Sequence, residues 1–271
     1  MARKPTLMCV HAHPDDEAIS TGGILARYAA EGFETILVTC TNGELGDAPD
    51  GAKPGQPGHT EQAIVALRRS ELETSCAVLG VGHLELLGYH DSGMMGWPQN
   101  DAPKAFWHAD LDEAAGRLSQ LMARYRPQVV VTYDEKGFYG HPDHIQANRV
   151  TVAAIERSEI PDKLYYTAVP KSAIPRFAEM LEARGLEVPS EIEDAPFGTP
   201  DEEIGAIIDC AGFTRAKYAS LSAHASQAEN IFFLSLGEEV FGEVFSEEAF
   251  VRARDRTGQT GLEHDLFSGL R

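Results

Sequence analysis

The chain has 271 residues, enough for one large domain or a main domain with a smaller appendage, and ample to bury a core. Its 42 Asp and Glu against 23 Lys and Arg give a formal net charge of -19, which argues against a nucleic-acid or anionic-membrane partner, since either needs a basic face to replace counterions. The four cysteines, Cys9, Cys40, Cys76 and Cys210, lack CxxC spacing and read as reduced thiols, and no apolar run reaches the length of a signal h-region or a membrane span, so the expected location is the cytoplasm.

From Thr6 to about Ala12 the chain reads as a buried strand, and Glu17 to Ala30 as a helix with Ile24, Leu25 and Tyr28 at helical spacing, ended by Gly32. Thr35 to Cys40 is a second apolar strand. A long loop from Thr41 to His59 follows, rich in Gly, Pro and Asp, which core packing does not explain. Glu61 to Leu79 is an amphipathic helix closed by Gly80, and His83 to Leu87 a third strand; the loop Gly88 to Pro103 leads to a helix over Leu111 to Tyr125, broken by Pro127. Val129 to Tyr133 is the strongest β-run in the chain. Beyond Pro161 the pattern loosens: Lys163 to Ala168 reads as strand, Ser172 to Gly185 as helix, Glu191 to Phe197 as ambiguous and Glu202 to His224 as mostly helical.

Alternating helices and uninterrupted apolar strands predict an α/β fold, a mostly parallel sheet with helices on both faces. Residues 1–160 are expected to form the catalytic domain that carries the metal site. Residues 161–271 are expected to form a smaller C-terminal α+β region that completes the substrate cleft.

Two polar clusters stand out, each after a strand: His11-Ala12-His13-Pro14-Asp15-Asp16-Glu17 and Tyr139-Gly140-His141-Pro142-Asp143-His144. A His-Pro-Asp turn alone is ordinary capping chemistry, but two of them after two strands point to one site, because ligands bind beyond the carboxyl ends of such strands. Converging there, His13, Asp16 and His144 form a recurrent ligand set for a catalytic zinc with an open position. Side chains of adjacent Asp15 and Asp16 diverge, so one can bind the metal while the other acts as general base toward water. His141 is a candidate to stabilise the oxyanion or protonate a leaving amine, with Asp143 orienting its imidazole and Tyr139 as a further donor. His11 and His90 read as hydrogen-bonded structural histidines, Glu17 as a carboxylate favoured by the helix dipole.

The motifs His13-Pro14-Asp15-Asp16-Glu17 and Gly140-His141-Pro142-Asp143-His144 resemble the signature of the LmbE-like (PIG-L) zinc-dependent deacetylases, which remove N-acetyl groups from glucosamine-containing substrates. The resemblance implies a Rossmann-like fold, one zinc per chain on His13, Asp16 and His144, Asp15 as base, and His141 with Tyr139 at the oxyanion. It is closest to the mycothiol-pathway branch, on Arg68 with Glu71-Leu72, Asp91-Ser92-Gly93-Met94, Val130 to Asp134 and Ala223-His224-Ala225, and it spans nearly the whole chain. That branch contains an N-acetylglucosaminyl-inositol deacetylase and a mycothiol S-conjugate amidase. The amidase carries a lysine where this chain has Ser20. By resemblance Arg68 and Asp91 hold sugar or inositol hydroxyls, and Asp47 stands where the deacetylase pattern has a glutamate. The expected partner is therefore a small-molecule N-acetylated glycoside, with a homo-oligomer left open. Competing expectations are the S-conjugate amidase, a deacetylase of another glycoside or antibiotic intermediate, and a metal- or sugar-binding module without turnover.

Overall fold

The computed structural model describes residues 4–188, 198–227 and 229–271. Strands β1 (Thr6–His11), β2 (Glu34–Thr41), β3 (His83–Tyr89), β4 (Val129–Thr132) and β5 (Lys163–Ala168) run parallel in the order β3-β2-β1-β4-β5. Two more, β6 (Ala206–Asp209) and β7 (Glu247–Asp255), extend the same sheet in the order β5-β7-β6, with β7 antiparallel to both neighbours. The sheet is thus continuous across residue 160.

Every residue of β1 and β4 is buried, as apolar runs covered on both faces require. Met8 and Val10 face a layer made by α4 (Leu111–Tyr125) and α6 (Pro142–Ser158), through Leu118, Met122, Val150 and Ile155. Leu7 and Cys9 face the opposite layer, made by α2 (Gly22–Ala30) and α3 (Glu61–Leu79), through Ile24, Tyr28, Leu72 and Leu79, with Phe267 from the chain end. All four cysteines are free and buried. Helix α7 (Ala173–Ala183) follows β5. Helix α8 (Thr214–Ala223) packs on α3, and α9 (Glu229–Ser235) and α10 (Gly237–Val244) pack on α8. Among the described residues no helix is long and apolar enough to cross a membrane.

Two sequence expectations change. The helix read as continuous from Glu17 to Ala30 is two, α1 (Asp16–Ser20) and α2, because Thr21 leaves helical geometry and its hydroxyl pairs with His11 Nε2 at 2.8 Å. The segment Glu202 to His224, read as mostly helical, contains β6, and β7 follows it. The ambiguous stretch Glu191 to Phe197 lies outside the described residues.

The strand order reverses between β1 and β4, since β2 and β3 build outward on one side and β5 on the other. Both polar clusters leave the sheet at the carboxyl ends of these two strands, where the crevice of an open α/β sheet forms.

Candidate metal centre

The chain leaving β1 folds back so that Asp16 Oδ2 accepts the His13 N–H at 2.7 Å and lies 3.4 Å from His13 Nδ1. The other Asp16 oxygen is 3.4 Å from His144 Nε2, which comes from the first turn of α6. His13, His141 and His144 each present a ring nitrogen within 4.8 Å of the others, and so do donor atoms of His13, Asp91 and Asp143. The turn Gly137–Gly140 (α5) lets the second cluster reach this point. Gly137 has φ +66°, and a Cβ there would lie 2.7 Å from the Ile145 backbone nitrogen.

Whether these groups suit a cation is decided by His144. Both of its ring nitrogens are buried without a hydrogen-bond partner, while its ring stacks on Tyr133 with centroids 4.1 Å apart. Orphaned buried imidazole nitrogens are costly, and a divalent ion held by His13, Asp16 and His144 would satisfy one of them. A donor set of imidazole and carboxylate without sulfur fits that assignment.

The surrounding groups hold these donors in place. Tyr133, fully buried, donates its hydroxyl to Asp16 Oδ2 at 2.7 Å and accepts the Ala12 N–H at 3.0 Å. His13 Nε2 lies 3.1 Å from Asp143 Oδ2, and the Asp143 carboxylate also accepts the Ser92 N–H at 2.9 Å and the Ser92 hydroxyl. A carboxylate on the far nitrogen of a ligand histidine fixes its tautomer and ring orientation. The Asp143 side chain, expected to orient His141, thus faces His13, and its contact with His141 is through the backbone N–H. His141 is the N-cap of α6, and its Nδ1 accepts the Asp143 backbone N–H at 3.1 Å, so the Asp143 side chain is free to turn to His13.

The electrostatics divide the groups. Burial disfavours a charged His13, yet Asp91, Asp143 and Asp16 together lift its pKa well above the ordinary value. Burial would raise Asp16, but His144 and His13 hold it well below the usual carboxylate range. Burial, reinforced by His13 and His144, holds His141 down to about 2, so its imidazole is neutral. Since Nδ1 accepts a hydrogen bond, the proton sits on Nε2. Burial pushes Asp15 up to about 6 against the opposing pull of Arg68.

Asp15 has φ 114° and ψ -26°, a left-handed conformation unusual for a residue with a Cβ. Its Oδ1 is 3.0 Å from Arg68 Nη2, its Oδ2 accepts from Asn230 Nδ2 at 3.4 Å, and its side chain remains 19% exposed. Arg68 also donates to the carbonyls of Pro14 and of Gly43, the latter at 3.3 Å. Only its buried Nε lacks a hydrogen-bond partner. Asp91 lies 3.7 Å from His13, with its N–H donated to Glu44 at 2.9 Å. Tyr139 is exposed at the rim, its ring edge-on to His144 at 5.0 Å. Asp47 is not among these groups; it pairs with exposed Lys53 at 2.6 Å. His11 is a buried structural histidine between Tyr133 and Thr21, and His90 pairs with Glu61. Tyr133, Ser92 and Asn230 were not singled out from sequence as site residues, and no spacing signals them, because each acts on a partner tens to hundreds of residues away.

A family model described as PIG-L, GlcNAc-PI de-N-acetylase, matches residues 8–155, which run from β1 into α6 and hold both polar clusters. The chain belongs to the PIG-L family. A relative from Acidothermus cellulolyticus, named 1D-myo-inositol 2-acetamido-2-deoxy-alpha-D-glucopyranoside deacetylase, is 44% identical over 98% of this chain and 95% of its own length. Among solved structures, the N,N'-diacetylchitobiose deacetylase from Pyrococcus horikoshii shares the fold of this PIG-L chain. Its TM-score is 0.59 at 19% identity, covering 92% of this chain and 84% of the other. The 4-carboxy-2-hydroxymuconate hydratase GalB from Pseudomonas putida also shares it, with a TM-score of 0.62 at 20% identity over 95% and 99% of the two chains. A PIG-L fold alone therefore does not specify the reaction, and the side chains of the site must do so.

Proposed function

We propose that this chain hydrolyses the N-acetyl amide of N-acetylglucosaminyl-inositol, the deacetylation step of mycothiol synthesis, with one zinc ion per chain. The observation that carries the reading is the 44% identity over 98% of the chain to a deacetylase of that name. The donor cluster of His13, Asp16 and His144 supports it chemically.

These three residues would hold the ion, His13 through Nδ1 and His144 through Nε2, the nitrogens that face Asp16. Bound there, a divalent cation supplies Lewis acidity toward a carbonyl oxygen and toward water. Asp15, ionised at neutral pH and next to the ligand set, takes the proton from the attacking water and returns it to the amine nitrogen as the C–N bond breaks. Neutral His141 offers its Nε2–H to the carbonyl oxygen as that oxygen gains charge, which favours an oxyanion role over acid catalysis. Tyr139 adds a donor from the rim. Asp91 is assigned to substrate hydroxyls, Asp47 could join it only by leaving Lys53, and Arg68, with three of its five N–H groups given to Asp15, Pro14 and Gly43, serves chiefly to hold Asp15. The substrate is a small molecule, residues 161–271 complete its cleft through Asn230, and the chain works in the cytoplasm.

The test is acetate release from N-acetylglucosaminyl-inositol, from free N-acetylglucosamine and from a mycothiol S-conjugate, with metal content measured on the same protein. The inositol glycoside should be turned over far faster than the other two, at about one zinc per chain as this ligand count requires. Equal rates on the glycoside and the free sugar, or full activity without metal, would overturn the reading.

A further inference from the structure

Glu17 and His224 stand 207 residues apart and meet where neither side chain has any exposure. His224 Nε2 lies 2.7 Å from Glu17 Oε1, and that same oxygen accepts the Ser75 hydroxyl, itself 2.7 Å from Ser220 Oγ. The helix dipole explanation for Glu17 is therefore insufficient, because α1 has only five residues and the carboxylate is gripped by Ser75 from α3 and by His224, the residue after α8. The second oxygen, Oε2, accepts the backbone N–H of Asp15 at 3.0 Å.

That peptide is the strained one. A non-glycine residue at φ 114° persists only where its surroundings over-determine it. Asp15 is tied at its N–H by Glu17, at its carbonyl by the Ala18 N–H at 3.0 Å, and at its two carboxylate oxygens by Arg68 and Asn230. A buried ion pair adds little net stability compared with apolar residues of the same volume, so the fold by itself gives no reason for one here. Relaxation of Asp15 to an extended conformation would swing its carboxylate away from Arg68 and Asn230.

We propose that Glu17 and His224 are a positioning pair that locks the Asp15 peptide in its left-handed conformation and so aims the Asp15 carboxylate into the site. The inference rests on the reading of Asp15 as proton acceptor. It predicts that loss of the pair lowers kcat and leaves KM and metal content as they were.

The test uses the full chain with His224→Leu, Glu17→Gln and His224→Gln, the last because a glutamine amide can still donate to Glu17. Steady-state acetate release, bound metal, the unfolding midpoint and backbone amide exchange in the peptide spanning residues 11–19 are measured for each. His224→Leu and Glu17→Gln should lower kcat by about 10- to 100-fold, the range for groups that orient a site from behind its ligands, and should speed exchange in that peptide. His224→Gln should recover most of both. Unchanged exchange and kcat in Glu17→Gln overturns the proposal, as does a kcat loss that follows metal loss and unfolding in all three variants. If His224→Leu fails to fold, Glu17→Gln and His224→Gln decide the question. Should the unaltered chain release no acetate, the functional reading falls while the exchange data still judge the positioning role.

Discussion

Replacing Tyr133 by phenylalanine removes one oxygen and leaves the ring stacked on His144 at 4.1 Å, so the effect of the hydroxyl can be read in isolation. That oxygen donates to the Asp16 carboxylate at 2.7 Å, a bond to a charged group worth about 1.5–3 kcal/mol. It also accepts the N–H of fully buried Ala12 at 3.0 Å, and a buried donor left without an acceptor costs about 1–3 kcal/mol. His11 keeps its second contact, to Thr21, and contributes less. Together the losses come to about 2.5–6 kcal/mol, which for a domain of this size lowers the melting temperature on the order of 10 °C. Because Asp16 loses the donor that holds it, metal affinity should fall about 10- to 100-fold. Urea unfolding of chelator-treated protein followed by circular dichroism, and a separate metal titration, measure the two effects. A destabilisation under about 0.5 kcal/mol, the size of an ordinary surface change, with unaltered metal affinity would refute the roles given to this hydroxyl.

Three more outcomes follow from the same geometry. Asp15→Asn should retain its metal and lose at least about 100-fold in acetate release, the contribution expected of a general base; near-normal turnover would remove Asp15 from that role. Asp143→Asn replaces the anionic acceptor on His13 Nε2 and should weaken metal binding about 10- to 100-fold, seen as a right-shifted titration with no change in stoichiometry. Away from the site, Lys217 pairs with Glu248 at 2.6 Å, both buried, and Glu248 also accepts the Gly23 and Ile24 N–H groups at the start of α2. Lys217→Met leaves that carboxylate buried without its cation and should cost about 3–5 kcal/mol in denaturant unfolding, with turnover per folded molecule unchanged.

The parallel half of the sheet is legible from sequence because β1, β2 and β4 are dominated by apolar, β-branched runs and strands alternate with helix-period segments, and the two polar clusters follow β1 and β4. β7 is hidden for the opposite reason. Glu247-Glu248-Ala249-Phe250-Val251-Arg252-Ala253-Arg254-Asp255 carries charges at both ends, and its antiparallel pairing to β5 buries Glu248 against Lys217, so the polar positions a reader counts against a strand are compensated across the fold. β6, only four residues long, lies between turn residues and has too few positions to show a period. Within the site, His13, Asp16 and His144 are visible through residue type and spacing. The partner of Asp143 is not, because a carboxylate two positions after a capping histidine can equally face the cap or turn away, and only the placement of β1 beside β4 puts His13 within its reach.

Two contacts that span more than two hundred residues, Glu17 with His224 and Asp15 with Asn230, bear on the order in which the molecule can be completed. All the metal-donor residues lie before residue 145, yet a chain leaving the ribosome and halted at residue 160 would hold Glu17 without its imidazole and β4 without β5 along one side. A buried carboxylate without its counter-charge and an open strand edge both disfavour a settled structure. Metal capture should therefore wait until about the last fifth of the chain has emerged, although the last donor atom, on His144, is synthesised well before that.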